Sequence, residues 1–165
     1  MITTNIEKAI EVLNNNKVIG MPTETVYGLA GNAFSEIAVQ QIFQLKKRPL
    51  FNPLIVHIKS IDQLNNVAKN IPHEAIQLAN AFWPGPLTLV LEKQPKIPAL
   101  VTANKETVAV RIPHHPVALE LLNKLSSPLA APSANPFGSI SPTTAVHVFN
   151  YFKEELEVIL DGGEC

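Results

Sequence analysis

The chain has 165 residues, of which 46% are hydrophobic and 16% charged, and its formal net charge is −1 at pH 7. That length buries a core without metal or disulfide staples, that apolar share excludes a disordered chain, and the charge balance confines any polyanion site to a local patch. Residues 151–165 hold five acids and one base, so the first 150 residues, with twelve bases against nine acids, form a mildly anion-friendly body.

The N-terminal residues from Met1 to Glu7 lack both a basic region and a long apolar run, so no secretory signal is expected and the protein is assigned to the cytoplasm. Ile6, Ala9, Ile10 and Leu13 share one helical face, and the Thr4/Glu7 spacing predicts a capping box in front of it. Lys17–Met21 reads as a strand that runs into Pro22 and a polar loop, Thr23-Glu24-Thr25. Ser35 is placed to cap a helix carrying Ala38, Ile42 and Leu45, which must stop before Pro49. Leu54–Ile58 is apolar enough for a strand covered on both faces, and Ser60/Gln63 predicts a second capping box. A helix over 72–82 then gives way to strands at 87–91 and 107–111. Beyond them come a helix through Ala118 and Leu125, a strand at 129–131, a helix over 142–152 and a strand at 158–160. The alternation of helices and strands predicts one α/β domain over 1–165, built on a mixed sheet flanked by helices. Cys165, the single cysteine, excludes an intrachain disulfide framework and cysteine-based zinc sites.

No Gly-x-x-x-x-Gly-Lys-Ser/Thr, Gly-x-Gly-x-x-Gly or Gly-x-Ser-x-Gly motif occurs, so a nucleotide must be held without a standard phosphate loop and a covalent acyl-enzyme has little support. The two arginines, Arg48 and Arg111, each lie at a predicted element end close to a proline, where a guanidinium can grip a carboxylate or phosphate bidentately. A surface salt bridge accounts for either one equally well. Lys46-Lys47-Arg48 closes a helix, a place where cations interact with the helix dipole without any ligand. Thr23-Glu24-Thr25 and Ser133-Ala134-Asn135-Pro136 read singly as turns, His57 as a buried core histidine, and His114-His115 as a helix start with no metal role.

Five ordered segments carry more than any one of them. They are Pro22-Thr23-Glu24-Thr25-Val26-Tyr27-Gly28-Leu29, Lys46-Lys47-Arg48-Pro49 with Asn52-Pro53-Leu54-Ile55-Val56-His57, Trp83-Pro84-Gly85-Pro86-Leu87-Thr88, Val110-Arg111-Ile112-Pro113, and Ala131-Pro132-Ser133-Ala134-Asn135. In this order they make the chain, from about Ile10 onward, resemble the YrdC/Sua5 family of threonylcarbamoyl-adenylate synthases. The resemblance implies a twisted, mixed sheet with a concave, cationic cavity. It also implies a nucleotidyltransferase that turns L-threonine, bicarbonate and ATP into threonylcarbamoyl-AMP and pyrophosphate, the first step towards N6-threonylcarbamoyladenosine in tRNA. On the matching positions it implies Lys46, Arg48, Ser133 and Asn135 as the catalytic, phosphate-binding group. It implies Arg48, Asn52, Thr107, Ser133 and Ser141 as ATP contacts, and Thr25, His57, Arg111 and the Ala131 backbone as threonine contacts. Mg²⁺ is expected to accompany ATP with no protein-ligated metal, and a downstream tRNA threonylcarbamoyl-transferase is the implied consumer of the product.

One departure concerns Asp161-Gly162-Gly163-Glu164-Cys165, after which the family continues into a further strand bearing a threonine-contacting serine, and later an arginine that contacts ATP. The expectation is that these lie past Cys165 and that the strand at 158–160 is an unpaired sheet edge. Two other readings compete. One is a module binding tRNA or double-stranded RNA through Lys46, Lys47 and Arg48, against which stand the lack of a long basic face and the few aromatics; the other is a nucleotide-binding paralogue without synthase activity.

Overall fold

The computed structural model describes residues 1–165. Residues Ile2–Thr3 form a short strand, β1, and Thr3 Oγ1 accepts the Asn5 amide at 3.1 Å. The cap of α1 (Ile6–Asn14) therefore falls on Asn5, whose side chain accepts from the Lys8 amide at 3.2 Å, and not on Thr4 as the capping-box spacing predicts. After β2 (Ile19–Met21) comes β3 (Gly28–Asn32), a strand the sequence hides because two of its five residues are glycines of low strand propensity. Ser35 caps α2 (Glu36–Lys46) as expected, and Lys47, left-handed at φ 51°, ends it before Pro49.

The buried strand expected at 54–58 is β4 (Ile55–His57). The second capping box is not formed. Ser60 makes no side-chain cap to the 3₁₀ turn Ile61–Asn66, and Gln63 Oε1 accepts the Lys59 amide at 3.0 Å instead. There follow α3 (His73–Phe82), β5 (Leu89–Glu92), β6 (Thr107–Arg111), α4 (Pro116–Lys124) and β7 (Leu129–Ala130). Thr144 caps α5 (Ala145–Phe152), which starts later than Pro142 for that reason, and β8 (Ile159–Leu160) is the last strand.

The eight strands form a mixed sheet in the order β1-β8-β2-β3-β7-β4-β6-β5. β8 lies between β1 and β2 and parallel to both, with Ile159 opposite Ile2 on one side and Gly20 on the other. The expectation of an unpaired edge at 158–160 is thus corrected: β1 covers that strand, and the sheet's edges are β1 and β5. Side chains alternate between two cores. Val18, Leu29, Ala130 and Ile159 face a large cluster under α2, α3 and α5, while Ile19, Ala30, Leu129 and Leu160 face a smaller one under α1 and α4. Gly20 permits the close seating of α5, since a Cβ there would meet Ile159 Cγ2 at 2.9 Å and Val148 Cγ1 at 3.2 Å. No helix is long and apolar enough to cross a membrane.

Candidate active site

β4 and β6 run parallel in a register that sets His57 beside Arg111, each the last residue of its strand. In α/β sheets the crevice outside such strand ends is where ligands collect. Here it is walled by the loop between β2 and β3 and by the segment after β7. The cavity, about 220 Å³, is lined by Thr23, Thr25, Val26, Gly28, Ile55, His57, Arg111, Ala131, Pro132 and Ser133.

The first wall is built by one hydroxyl. Thr23 Oγ1 donates to the Val26 carbonyl at 2.6 Å and accepts from the Thr25 and Val26 amides at 3.2 and 3.3 Å. The Thr25 hydroxyl lies 3.1 Å from the same oxygen. Behind the loop, the fully buried Tyr27 hydroxyl donates to the Gly163 carbonyl at 2.7 Å and accepts the Gly162 amide at 3.1 Å. Gly162 has to be glycine, because a Cβ would stand 2.5 Å from His115 Cε1 and 2.7 Å from Pro22 Cγ.

The floor is charged. Arg111 is 8% exposed, and its Nη2 stands 2.5 Å from Glu24 Oε1, close enough for an ion pair but not aligned as a hydrogen bond. Burial, and then the Arg111 cation, pushes the His57 imidazole down to about 4, so it is neutral at pH 7. Burial also lowers His115. Apart from the two atoms of the Glu24–Arg111 ion pair, Glu24 Oε2, His57 Nδ1, Arg111 Nε and His115 Nδ1 are buried without a hydrogen-bond partner, and of these residues His57 and Arg111 line the cavity. Buried polar groups are ordinarily satisfied, so this concentration marks a place built to receive a polar ligand.

The other predicted cations are differently placed. Lys46 is 1% exposed, and its ammonium donates to the Ser133 carbonyl and, at 2.5 Å, to that of Asn135. Burial, with a smaller push from Arg48, brings it down to about 8. Asn135 Nδ2 donates to the Pro136 and Ser139 carbonyls at 3.0 and 2.8 Å, so Lys46 and Asn135 together fix the segment that carries Ser133. Arg48 turns back onto the carbonyls of Asn52 (3.3 Å) and Pro53 (3.1 Å). The RNA-binding reading needs Lys46 as an outward phosphate contact, and the buried ammonium contradicts that; of the three residues, only Lys47 is exposed.

The fold thus brings Thr25, His57, Arg111, Ala131 and Ser133 around one cavity. Thr107 lies exposed at the opposite end of β6 from Arg111, roughly 13 Å away at strand rise. Ser141 lines a separate hollow of about 450 Å³ with Thr143, His147 and Tyr151. A groove of about 390 Å³ between α2 and residues 99–104 holds one charged side chain, Glu36, which is exposed. Sequence reasoning missed Glu24, Tyr27 and His115 as site groups. The signal for Glu24 was present: it is the carboxylate inside the loop motif that also supplies Thr25.

The sequence model of the Sua5/YciO/YrdC family, described as telomere recombination, matches residues 11–165. The chain belongs to this family. It is 52% identical over 159 residues to threonylcarbamoyl-AMP synthase of Pyrococcus abyssi, covering 96% of this chain and 47% of that protein. It is 47% identical over 159 residues to threonylcarbamoyl-AMP synthase of Bacillus subtilis, covering 96% and 46%. The crystal structure of P. abyssi Sua5 complexed with L-threonine superposes with a TM-score of 0.94 at 52% identity, over 96% of this chain and 47% of that one. The chain therefore spans about half the length of these relatives.

Proposed function

We propose that this chain is an L-threonylcarbamoyladenylate synthase domain, which joins L-threonine, bicarbonate and ATP into threonylcarbamoyl-AMP and releases pyrophosphate, and that residues 1–165 act as one unit in the cytoplasm. The observation that carries the reading is the gathering of Thr25, His57, Arg111 and Ala131 around one small cavity, where His57 Nδ1 and Arg111 Nε have no partner within the chain. The names of the relatives and the threonine complex of the P. abyssi protein support it.

At about 220 Å³ the cavity is smaller than the roughly 300–1,000 Å³ of pockets for drug-sized ligands, so it suits a small amino acid, with the nucleotide outside it. Arg111 takes the threonine carboxylate through parallel N–H donors, while the Thr25 oxygen and the neutral His57 accept from the substrate. The amine adds to the bicarbonate carbon with loss of water, and a carbamate oxygen then attacks the α-phosphorus as the bond to pyrophosphate breaks. Positioning and charge neutralisation are what this transfer needs from the protein. Ser133, held by Lys46 and Asn135, lies where amino acid and phosphates meet. Arg48 neutralises the leaving pyrophosphate, and Asn52, Thr107 and Ser141 complete the ATP contacts. Mg²⁺ enters as part of the ATP substrate, and the adenylate is consumed by a tRNA threonylcarbamoyl-transferase.

Titration calorimetry should detect L-threonine binding to this chain, and label from ATP should enter an adenylate only when L-threonine and bicarbonate are both supplied. Bicarbonate-independent adenylate, or no heat with L-threonine, would overturn the reading.

A further inference from the structure

We infer that Tyr27 is a positioning residue that couples the two substrate sites, so that L-threonine and ATP each tighten the binding of the other. The role rests on the two-substrate reading above, and Tyr27 itself is fully buried and does not line the cavity. What distinguishes it is the number of chain segments that meet there. The Tyr27 amide donates to the Pro142 carbonyl at 2.8 Å, and the Tyr27 carbonyl accepts the Ala134 amide at 2.8 Å. The hydroxyl reaches a third segment, donating to the Gly163 carbonyl at 2.7 Å and accepting the Gly162 amide at 3.1 Å. That segment closes back on residues 142–143, because the Cys165 amide donates to the Thr143 carbonyl at 2.9 Å.

The tethered segments are the ones that carry the proposed ligand contacts. Thr25, on the cavity wall, lies two residues before Tyr27; Ser133 is the neighbour of Ala134, and Ser141 that of Pro142. Lys46 and Asn135 brace only the Ser133 segment, through the carbonyls of Ser133, Asn135, Pro136 and Ser139. Tyr27 adds the links from that segment to the threonine wall and to Ser141. A phenylalanine ring would fill the same core space, so the hydroxyl is what the tyrosine contributes, and both its partners are glycines, one of them left-handed at φ 85°. A ligand that immobilises one of the tethered segments leaves less of the chain for the second ligand to order. The result is positive coupling, and by linkage it is reciprocal.

The test is calorimetric titration of L-threonine into the chain, alone and with saturating α,β-methylene-ATP and Mg²⁺, since the bond to pyrophosphate cannot break in that analogue. In the wild type the analogue should tighten threonine about fivefold or more, and threonine should tighten the analogue by the same factor. Tyr27→Phe, which keeps the ring and the backbone bonds, should bring the factor below about twofold while each ligand alone still binds. Gly162→Ala, which displaces the segment that the hydroxyl holds, should do the same. Val12→Ala, a packing loss on α1 in the smaller core, should keep the wild-type factor. Independent binding of the two ligands by the wild type overturns the proposal whether or not a variant folds, and so does a Tyr27→Phe chain with the wild-type factor. Loss of the factor in Val12→Ala also overturns it, because coupling would then follow stability and not Tyr27. A wild-type chain that binds only one of the ligands, or neither, refutes the two-substrate reading itself.

Discussion

Replacing Lys46 with Met isolates what a buried ammonium does in this fold. The ammonium is 1% exposed and is brought down from 10.5 to about 8 by burial and then by Arg48. Between those two pH values the unfolded chain holds the proton more firmly than the folded one, so wild-type stability rises with pH there and the deficit is largest below pH 8. The full shift corresponds to about 3 kcal/mol, of which about 2 kcal/mol should be recovered between pH 8 and pH 10. Methionine removes that titration but leaves the Asn135 carbonyl without its donor, a loss of about 1–3 kcal/mol, whereas the Ser133 carbonyl keeps the Asn135 amide at 3.0 Å. The two effects nearly cancel at pH 7. The assay is urea unfolding of wild type and Lys46→Met at pH 7, 8, 9 and 10. The wild type should gain on the variant by about 2 kcal/mol over the last two units. A constant difference across the series would refute the reasoning, because it would mean that Lys46 titrates alike in the folded and unfolded chain.

Three further outcomes follow from the same geometry. His57 is held down to about 4 from 6.5, so wild-type stability should fall as the pH drops through that window; in urea titrations His57→Gln should remove a dependence of up to about 1.4 kcal/mol per unit. Gly162→Ala sets a Cβ 2.5 Å from His115 Cε1 and should lower the urea-derived stability by about 1–3 kcal/mol, and an unchanged midpoint would show that the 161–163 segment does not seat against Pro22. Tyr27→Phe removes a donor and an acceptor that tie Gly162 and Gly163 to the core, and should cost about 1–3 kcal/mol with an unchanged denaturant slope.

Where local chemistry decides, the sequence is explicit. The strand expected at 107–111 is β6 residue for residue, and Ser35 and Pro49 bracket α2 because a capping oxygen and a missing amide act within a turn of where they sit. β1 and β3 were not legible for the opposite reason. Two residues give no periodicity, and the Gly28 and Gly31 positions earn their place through neighbours, Gly28 opposite Met21 and Gly31 opposite Ala130. The site follows the same division. The residue types of Thr25, His57 and Arg111 are visible in the sequence, but their meeting depends on the parallel pairing of β4 with β6 and on a loop two strands away. In the sequence Glu24 reads as part of a turn, and its neighbour Thr23 does build that turn; nothing local reveals that the next side chain pairs with a guanidinium.

The buried charges of this chain fall into two kinds, and the difference carries the functional argument. Lys46 spends its donors on carbonyls of a loop it must hold, so its cost of burial is offset by the order it imposes on Ser133 and Asn135. The buried Arg111 and the partly buried Glu24 pair with each other at 2.5 Å and leave Arg111 Nε and Glu24 Oε2 open, beside an imidazole kept neutral by burial. A fold optimised only for stability would exchange such a pair for apolar side chains of similar volume. Arg111 and His57 stand at the ends of β6 and β4, where the sheet leaves a cavity, so the polar groups that open onto it are already desolvated and held in place.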